Sequence, residues 1–172
     1  MTKKTANDNK TFKKGDYIVY PAHGVGRVTG VEKETVAGFD IEVYVVSFEQ
    51  DKMTLRVPTA KAVASGMRPL ANDKVLADAL KTLRGKARVK RTMWSRRAQE
   101  YEAKINSGDL ISIAEVVRDL HRHADQPEPS YSERQLYESA LDRMVREVAA
   151  VEKVDRDQAL EILSSSLQKK AA

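Results

Sequence analysis

The spacing of apolar and polar residues changes near residues 67–73 (MRPLAND), which divides the chain into two halves. The first half contains short runs rich in β-branched and aromatic residues, separated by turn residues such as His23-Gly24, and this pattern predicts β-strands. Strands this short and this close together favour a small antiparallel β-barrel of the SH3 or Tudor type with one open edge. The predicted strands span residues 16–20, 25–34, 41–48 and 52–58.

In the second half apolar residues recur every three or four positions, which predicts helices with one apolar face each. Because no helix is apolar all round, the pattern favours an all-α bundle around one shared core. The predicted N-caps are Asn72 or Asp73, Thr92, Asp109, Ser132 with Gln135, and Asp155 with Gln158. The first four helices are expected to end near Leu83, Asn106, His123 and Val151, and the last to include Leu160, Leu163 and Leu167.

These patterns together predict an α+β protein in which a small antiparallel barrel precedes a helical bundle. The expected boundaries are a disordered polar tail at residues 1–11, a β domain at residues 12–68 and a helical domain at residues 73–168. The chain of 172 residues has no cysteine, which fits a reducing cytoplasm. It has no apolar run near the roughly 20 residues needed to cross a bilayer and no apolar segment of a secretory signal at its start, so no membrane association is expected.

Positive charge is concentrated in one segment of the helical half. Residues 81–97 contain eight Lys or Arg and no Asp or Glu, whereas the rest of that half has more acidic than basic residues. A basic patch on an otherwise acidic body is typical of phosphate binding, although a solvated helix face would give a similar charge run. The basic residues are Lys81, Arg84, Lys86, Arg88, Lys90, Arg91, Arg96 and Arg97.

Trp94, the one tryptophan of the chain, lies inside this basic segment. Its spacing with Ala98, Tyr101 and Ile105 places it on the apolar face of a predicted helix, which favours a role in the core. Its place in the first turn, among arginines, favours contact with an anionic partner that has a flat face. The residues alone leave both interpretations open.

No group of residues suggests catalysis or a metal site. The three histidines are His23, in a predicted turn, and His121 and His123, whose spacing on a helix points them to different faces. The carboxylates are scattered over helix surfaces. We therefore expect a protein without enzymatic activity, cofactor or metal.

Four segments, two in each half, resemble the CarD/CdnL family of bacterial transcription regulators. In the first half they are FKKGDYIVYPAHGVGRV and, later, TLRVP; in the second they are the T-x-W-S-R-R segment from Thr92 to Arg97 and SGDLISIAEVVRDLHRH. The resemblance covers residues 12–167 and both predicted domains. The first module alone is less specific, because it is also similar to a module of transcription-repair coupling factors.

The resemblance implies a non-enzymatic regulator that bridges the β subunit of RNA polymerase and promoter DNA at the upstream edge of the bubble. It implies that a Tudor-like domain binds the polymerase through Arg56, Pro58 and Val45. It also implies that Trp94 is a wedge in the minor groove and that Arg96 and Arg97 hold the DNA backbone. The other basic residues expected at the DNA are Lys86, Arg88, Lys90 and Arg91. Glu34 departs from relatives that have a basic residue there, which puts a polymerase contact at that position in doubt.

We expect such a protein to act as a monomer in the cytoplasm, associated with the nucleoid through the polymerase, and to show weak sequence preference. An alternative from another class is a Tudor-like adaptor with a buried Trp94 and a basic helix that binds RNA or an acidic protein. The exposure of Trp94 discriminates between the two.

Overall fold

The computed structural model describes residues 12–122 and 126–168, and it has an α+β architecture. The first half forms one antiparallel five-stranded sheet with the strand order β4-β3-β2-β1-β5. The strands are β1 (Tyr17–Tyr20), β2 (Gly24–Val36), β3 (Phe39–Phe48), β4 (Met53–Pro58) and β5 (Arg68–Pro69), with a short 3₁₀ turn at Thr59–Lys61 after β4. The predicted tail at residues 1–11 lies outside the described residues.

The sheet curves around its own hydrophobic cluster, which includes Ile18, Val28, Val46, Phe48 and Val57. The central hairpin is longer than predicted, because β2 and β3 run up to a two-residue turn at Ala37 and Gly38. Both turn residues have positive φ, at 52° and 82°, as the tight hairpin turns that suit twisted strands require.

The two outer strands of the described sheet, β4 and β5, are not hydrogen-bonded to each other. The closed form of the predicted barrel is therefore not seen, and the sheet has two edges rather than the expected one. The sequence pattern missed β5, because two residues that include a proline give no alternation.

Five helices lie in the described part of the second half. They pack around one cluster to which every helix contributes; it includes Leu83, Ile105, Val117, Val148 and Leu163. Their bounds are α1 (Asp73–Arg84), α2 (Trp94–Asn106), α3 (Leu110–Leu120), α4 (Tyr131–Glu152) and α5 (Arg156–Gln168).

Three predicted helix starts are confirmed by their hydrogen bonds. The Asn72 side chain accepts from Val75 N at 2.9 Å, and the Asp109 carboxylate accepts from Ser112 N at 3.1 Å. Asp155 and Gln158 form the expected reciprocal pair: Asp155 Oδ1 accepts from Gln158 N at 2.8 Å, and Gln158 Oε1 accepts from Asp155 N at 3.2 Å. Such a box satisfies donors that the helix itself leaves free.

Two predicted caps are wrong by one or two residues. Helix α2 is capped by Met93, not Thr92, and no side chain accepts a hydrogen bond there. Helix α4 is capped by Ser130, not Ser132, and the Ser130 hydroxyl accepts from Glu133 N at 3.3 Å. At α4 two serines lie near the start, and the sequence does not distinguish which one caps the helix. At α2 the cap is an apolar residue, which a preference for polar caps does not select.

The predicted apolar faces are mostly confirmed, with one exception. The α3 residues Leu110, Ile113, Val117 and Leu120 are all buried. The prediction that Leu160 of α5 lies in the core is wrong, because this residue is 38% exposed. Leu163 and Leu167 of the same helix are buried in the core. The third helix ends at Leu120, earlier than predicted, and His123 lies outside the described residues.

A buried carboxylate joins the sheet to the helices. Glu147 in α4, whose side chain is 3% exposed, accepts two hydrogen bonds from the Arg68 guanidinium at 2.8 and 2.9 Å and a third from Ala71 N at 2.8 Å. Arg68 Nε also donates to the Gly108 carbonyl at 2.8 Å. The edge strand β5 is thus tied to the middle of the helical half by charge-assisted hydrogen bonds.

A second set of contacts lies beside this one. Arg143 of α4 donates to the carbonyls of Pro21 at 2.6 Å and Ala22 at 2.7 Å, both in the turn after β1. Burial lowers the pKa of the Arg143 guanidinium, which nevertheless stays charged because its pKa starts far above neutrality. The two sets together hold the sheet and the helices in one arrangement.

Among the described residues, none of the helices has the length and apolar character that crossing a membrane requires.

Candidate nucleic-acid interface and outer sheet face

The basic segment, residues 81–97, runs from the last turn of α1 through the connection between the helices to the first turn of α2. Gly85 ends α1, and the backbone then crosses α3, where Arg88 N donates to Asp119 Oδ1 at 2.9 Å. The same oxygen accepts from Arg118 Nε at 2.9 Å, so the connection is anchored although it has no regular structure. Its side chains Lys86, Arg88, Lys90 and Arg91 are all exposed.

Most of this positive charge has no acidic partner. Among the described residues, the one ion pair made by the seven predicted DNA-binding residues joins Lys90 to Glu100, at 3.3 Å. Exposed cations without carboxylate partners remain available to bind phosphate groups. Because the backbone of the connection is anchored, these side chains stay close to one another.

Trp94 is the first residue of α2 and is half-buried against the helical core. Its ring lies 6.3 Å from that of Tyr101, centroid to centroid, at an angle of 48°. The Arg97 guanidinium carbon lies 5.2 Å from the Trp94 ring centroid, which is a cation–π contact. The ring thus packs on the core, as its apolar spacing predicts, and it also borders the basic surface.

Arg97 and Arg96 differ in their surroundings. Arg96 is exposed, whereas Arg97 is half-buried, with an Nε atom that is buried and has no hydrogen-bond partner among the described residues. Burial raises the pKa of the nearby Tyr101 hydroxyl. The negative charge of Asp119 raises this pKa further, whereas the positive charge of Arg97 lowers it. Arg97 thus supports Trp94 and Tyr101, and Arg96 is the freer of the two arginines.

Two exposed apolar side chains in this segment were not predicted as site residues. Met93, the N-cap of α2, is 74% exposed, and Val89 is 54% exposed. Exposed apolar residues next to unpaired cations resemble the surfaces of proteins that insert side chains between bases. The signal in the sequence was present but was assigned to Trp94 alone.

The predicted polymerase-binding residues lie together on the sheet. Arg56 in β4 pairs in register with Val45 in β3, and Pro58 pairs with Val43. Alternate residues of a strand point to the same face of the sheet. The face opposite the sheet core, here called the outer sheet face, therefore carries Val43, Val45, Arg56 and Pro58. Arg56 is exposed and Pro58 half-buried, but Val45 is 9% exposed, so its side chain offers little surface to a partner.

Arg56 is held by two carboxylates of β2. Its Nη1 donates to Glu32 at 2.8 Å and also to Glu34. These hydrogen bonds, that with Glu34 first, raise the pKa of Arg56 above its usual value. Glu34 thus acts on Arg56 directly, and the sequence could not show this because the two residues are on different strands.

The histidines form no metal site among the described residues, where no group of three or more His, Cys, Asp or Glu converges. His23 stacks on Tyr20 with ring centroids 5.7 Å apart. His121 Nδ1 lies 3.0 Å from the Tyr137 hydroxyl. Both rings therefore pack against aromatic side chains.

Comparison with known proteins assigns both halves. Residues 12–71 match the CarD-like/TRCF RID domain, and residues 78–164, half of the chain, match the CarD C-terminal domain. A protein of Bacillus subtilis (strain 168) named "Putative transcription factor YdeB" is 27% identical over 147 residues, which cover 86% of this chain and 96% of that protein. Because both domains are matched in order, and the second match includes the basic segment, the chain belongs to the CarD/CdnL family of transcription regulators.

Proposed function

We propose that this protein bridges the β subunit of RNA polymerase and promoter DNA at the upstream edge of the transcription bubble, and so stabilises the open complex. The observation that carries the proposal is the set of unpaired cations around Trp94 at the start of α2. In this proposal residues 12–68 form a Tudor-like polymerase-binding domain and residues 73–168 a helical DNA-binding bundle. The protein acts in the cytoplasm as a monomer, without catalysis.

The DNA contact rests on the basic segment. Lys86, Arg88, Lys90, Arg91 and Arg96 neutralise phosphates, and each neutralised phosphate releases condensed counterions. Such contacts position the protein without reading sequence, which explains why we expect weak sequence preference. The affinity for DNA should therefore fall steeply as the salt concentration rises.

Trp94 supplies the preference for melted DNA. An apolar side chain that enters an intact base step must unstack it, at a cost of a few kcal/mol. At the edge of the bubble the stacking is already broken, so binding to the open complex is tighter. By linkage, the protein shifts the equilibrium towards the open complex by no more than this difference in affinity.

The polymerase contact is assigned to the outer sheet face around Arg56 and Pro58, with Val45 beneath them. Strand β4, which carries Arg56 and Pro58, is an edge of the described sheet. An edge strand has unpaired backbone groups that can bind a strand of a partner. Since the sheet is tied to the helices through Arg68 and Glu147, two weak contacts can act as one bivalent contact.

The lifetime of competitor-challenged open promoter complexes tests this proposal. We expect wild type to lengthen the lifetime and Trp94→Ala to lose most of this gain, about tenfold if the ring contributes about 1.4 kcal/mol. Tyr131→Ala, which removes a 76% exposed aromatic ring at the start of α4, is the matched control. Circular dichroism must show that all three proteins are folded; a folded Trp94→Ala that matches wild type contradicts the wedge.

A second candidate function is favoured by the partial burial of Trp94. In this alternative, Trp94 is a core residue and the basic segment binds RNA or an acidic protein. Tryptophan fluorescence distinguishes the two. If Trp94 is a DNA wedge, its emission shifts in wavelength or loses intensity when fork-junction DNA is added. If the emission is unchanged while RNA binds tightly, the alternative is correct.

A further inference from the structure

Met93 occupies a position that its chemistry does not explain. It is the N-cap of α2, with φ −56° and ψ 142°, and no side chain accepts a hydrogen bond from the first turn. N-caps are usually Ser, Thr, Asp or Asn, whose side chains accept such a bond. Thr92 is adjacent and would serve, yet the helix begins after Met93.

The Met93 side chain does not contribute to the core either. It is 74% exposed, and it is absent from both hydrophobic clusters of the described residues. A residue that breaks a local preference without a visible gain in stability often serves function.

Trp94, in contrast, has much of its surface already occupied. Its ring packs on the helical core, borders Tyr101 at 6.3 Å and has the Arg97 guanidinium carbon 5.2 Å from its centroid. A side chain that inserts between bases needs free apolar surface. The residue before Trp94 has that surface, and Trp94 has only part of it.

The surroundings of Met93 suit DNA rather than a protein groove. Arg91 and Arg96 flank it in sequence, both are exposed, and neither forms an ion pair within the described part of the chain. Methionine is unbranched and polarisable, and it is among the residues that serve as wedges in the minor groove.

We propose that Met93 is a second inserting residue, which enters the distorted base step in front of Trp94. Met93 and the exposed part of the Trp94 ring then contact the distorted step together, and the flanking arginines bind the phosphates on either side. This inference rests on the proposed function and adds a DNA-contacting residue to it.

The test compares three variants with wild type in the open-complex lifetime assay. Met93→Asn removes the apolar side chain and introduces a good cap, so we expect a lifetime shortened by about fivefold together with a melting temperature about 2–4 °C higher. Met93→Leu keeps an apolar side chain and should stay within about twofold of wild type. Val63→Asn changes a 51% exposed apolar residue outside the basic segment and should have little effect.

The salt dependence of binding to fork-junction DNA gives a second readout. Because methionine is neutral, Met93→Asn should lower affinity without changing the slope of log K against log salt. If Met93→Asn has the wild-type lifetime, the inference is wrong even where Trp94→Ala is defective. If it instead weakens polymerase binding in the absence of DNA, Met93 contacts protein and the inference is also wrong. If wild type itself does not lengthen the lifetime, the proposed function fails first.

Discussion

The Arg56 side chain is exposed, yet its guanidinium already has partners within the chain. This side chain is 50% exposed, but Glu32 and Glu34 bind it from β2, across the intervening strand β3. Two carboxylates around one guanidinium leave a net negative charge on this part of the outer sheet face. An acidic group of a partner must therefore displace at least one glutamate to reach Arg56.

Arg56→Glu should weaken polymerase binding by about tenfold or more, because it adds a third carboxylate where a cation was. Binding of immobilised polymerase to each variant measures this. Lys33→Glu makes the same charge change on the other face of β2 and should bind nearly as well as wild type. Equal loss in both variants would indicate an effect of net charge alone and would remove Arg56 from the proposed interface.

Helices were predicted well where a capping side chain has no competitor, and less well where it has one. Asp109 stands directly before an apolar stripe and after Gly108, which has a φ of 73°, so the start of α3 was clear. At α4, Ser130 and Ser132 both precede helix-forming residues, and the structure has Ser130 as the cap. Pattern gives the existence of a helix more reliably than its first residue.

The two serines give a direct test of this correction. Ser130→Ala should lower the free energy of unfolding by about 1 kcal/mol, because the hydrogen bond to Glu133 N is lost. Ser132→Ala should be close to neutral or slightly stabilising, since alanine is the better helix former inside the first turn. Urea denaturation of both variants measures the difference, and a larger loss for Ser132→Ala would restore the original prediction.

At the scale of the whole molecule, the sequence predicted the two kinds of structure but not how they meet. Arg68 and Glu147 are separated by 79 positions, and each was unremarked in the sequence because it lies among many other charges. The same holds for Arg143, which reaches the turn after β1. Long-range pairs of this kind have no local pattern, so only the folded arrangement identifies them.

Glu147→Ala should lower the free energy of unfolding by about 3 kcal/mol, because it leaves the partly buried Arg68 without its partner. Glu138→Ala, an exposed glutamate on the same helix, should change it by less than about 0.5 kcal/mol. Chemical denaturation followed by tryptophan fluorescence and by circular dichroism measures both. A Glu147→Ala variant as stable as the control would show that the contact adds little to stability.

Gly108 turns the chain between α2 and α3 at the point where Pro21 approaches it. A β-carbon added at Gly108 would lie 2.9 Å from Pro21 Cα, so any larger residue must push the β1–β2 turn away from the helices. Such a push would change the separation between the outer sheet face and the start of α2. In the proposed complex that separation sets how many base pairs lie between the polymerase and the inserted side chains. The protein would then act as a molecular ruler, and residue 108 would help to set its length.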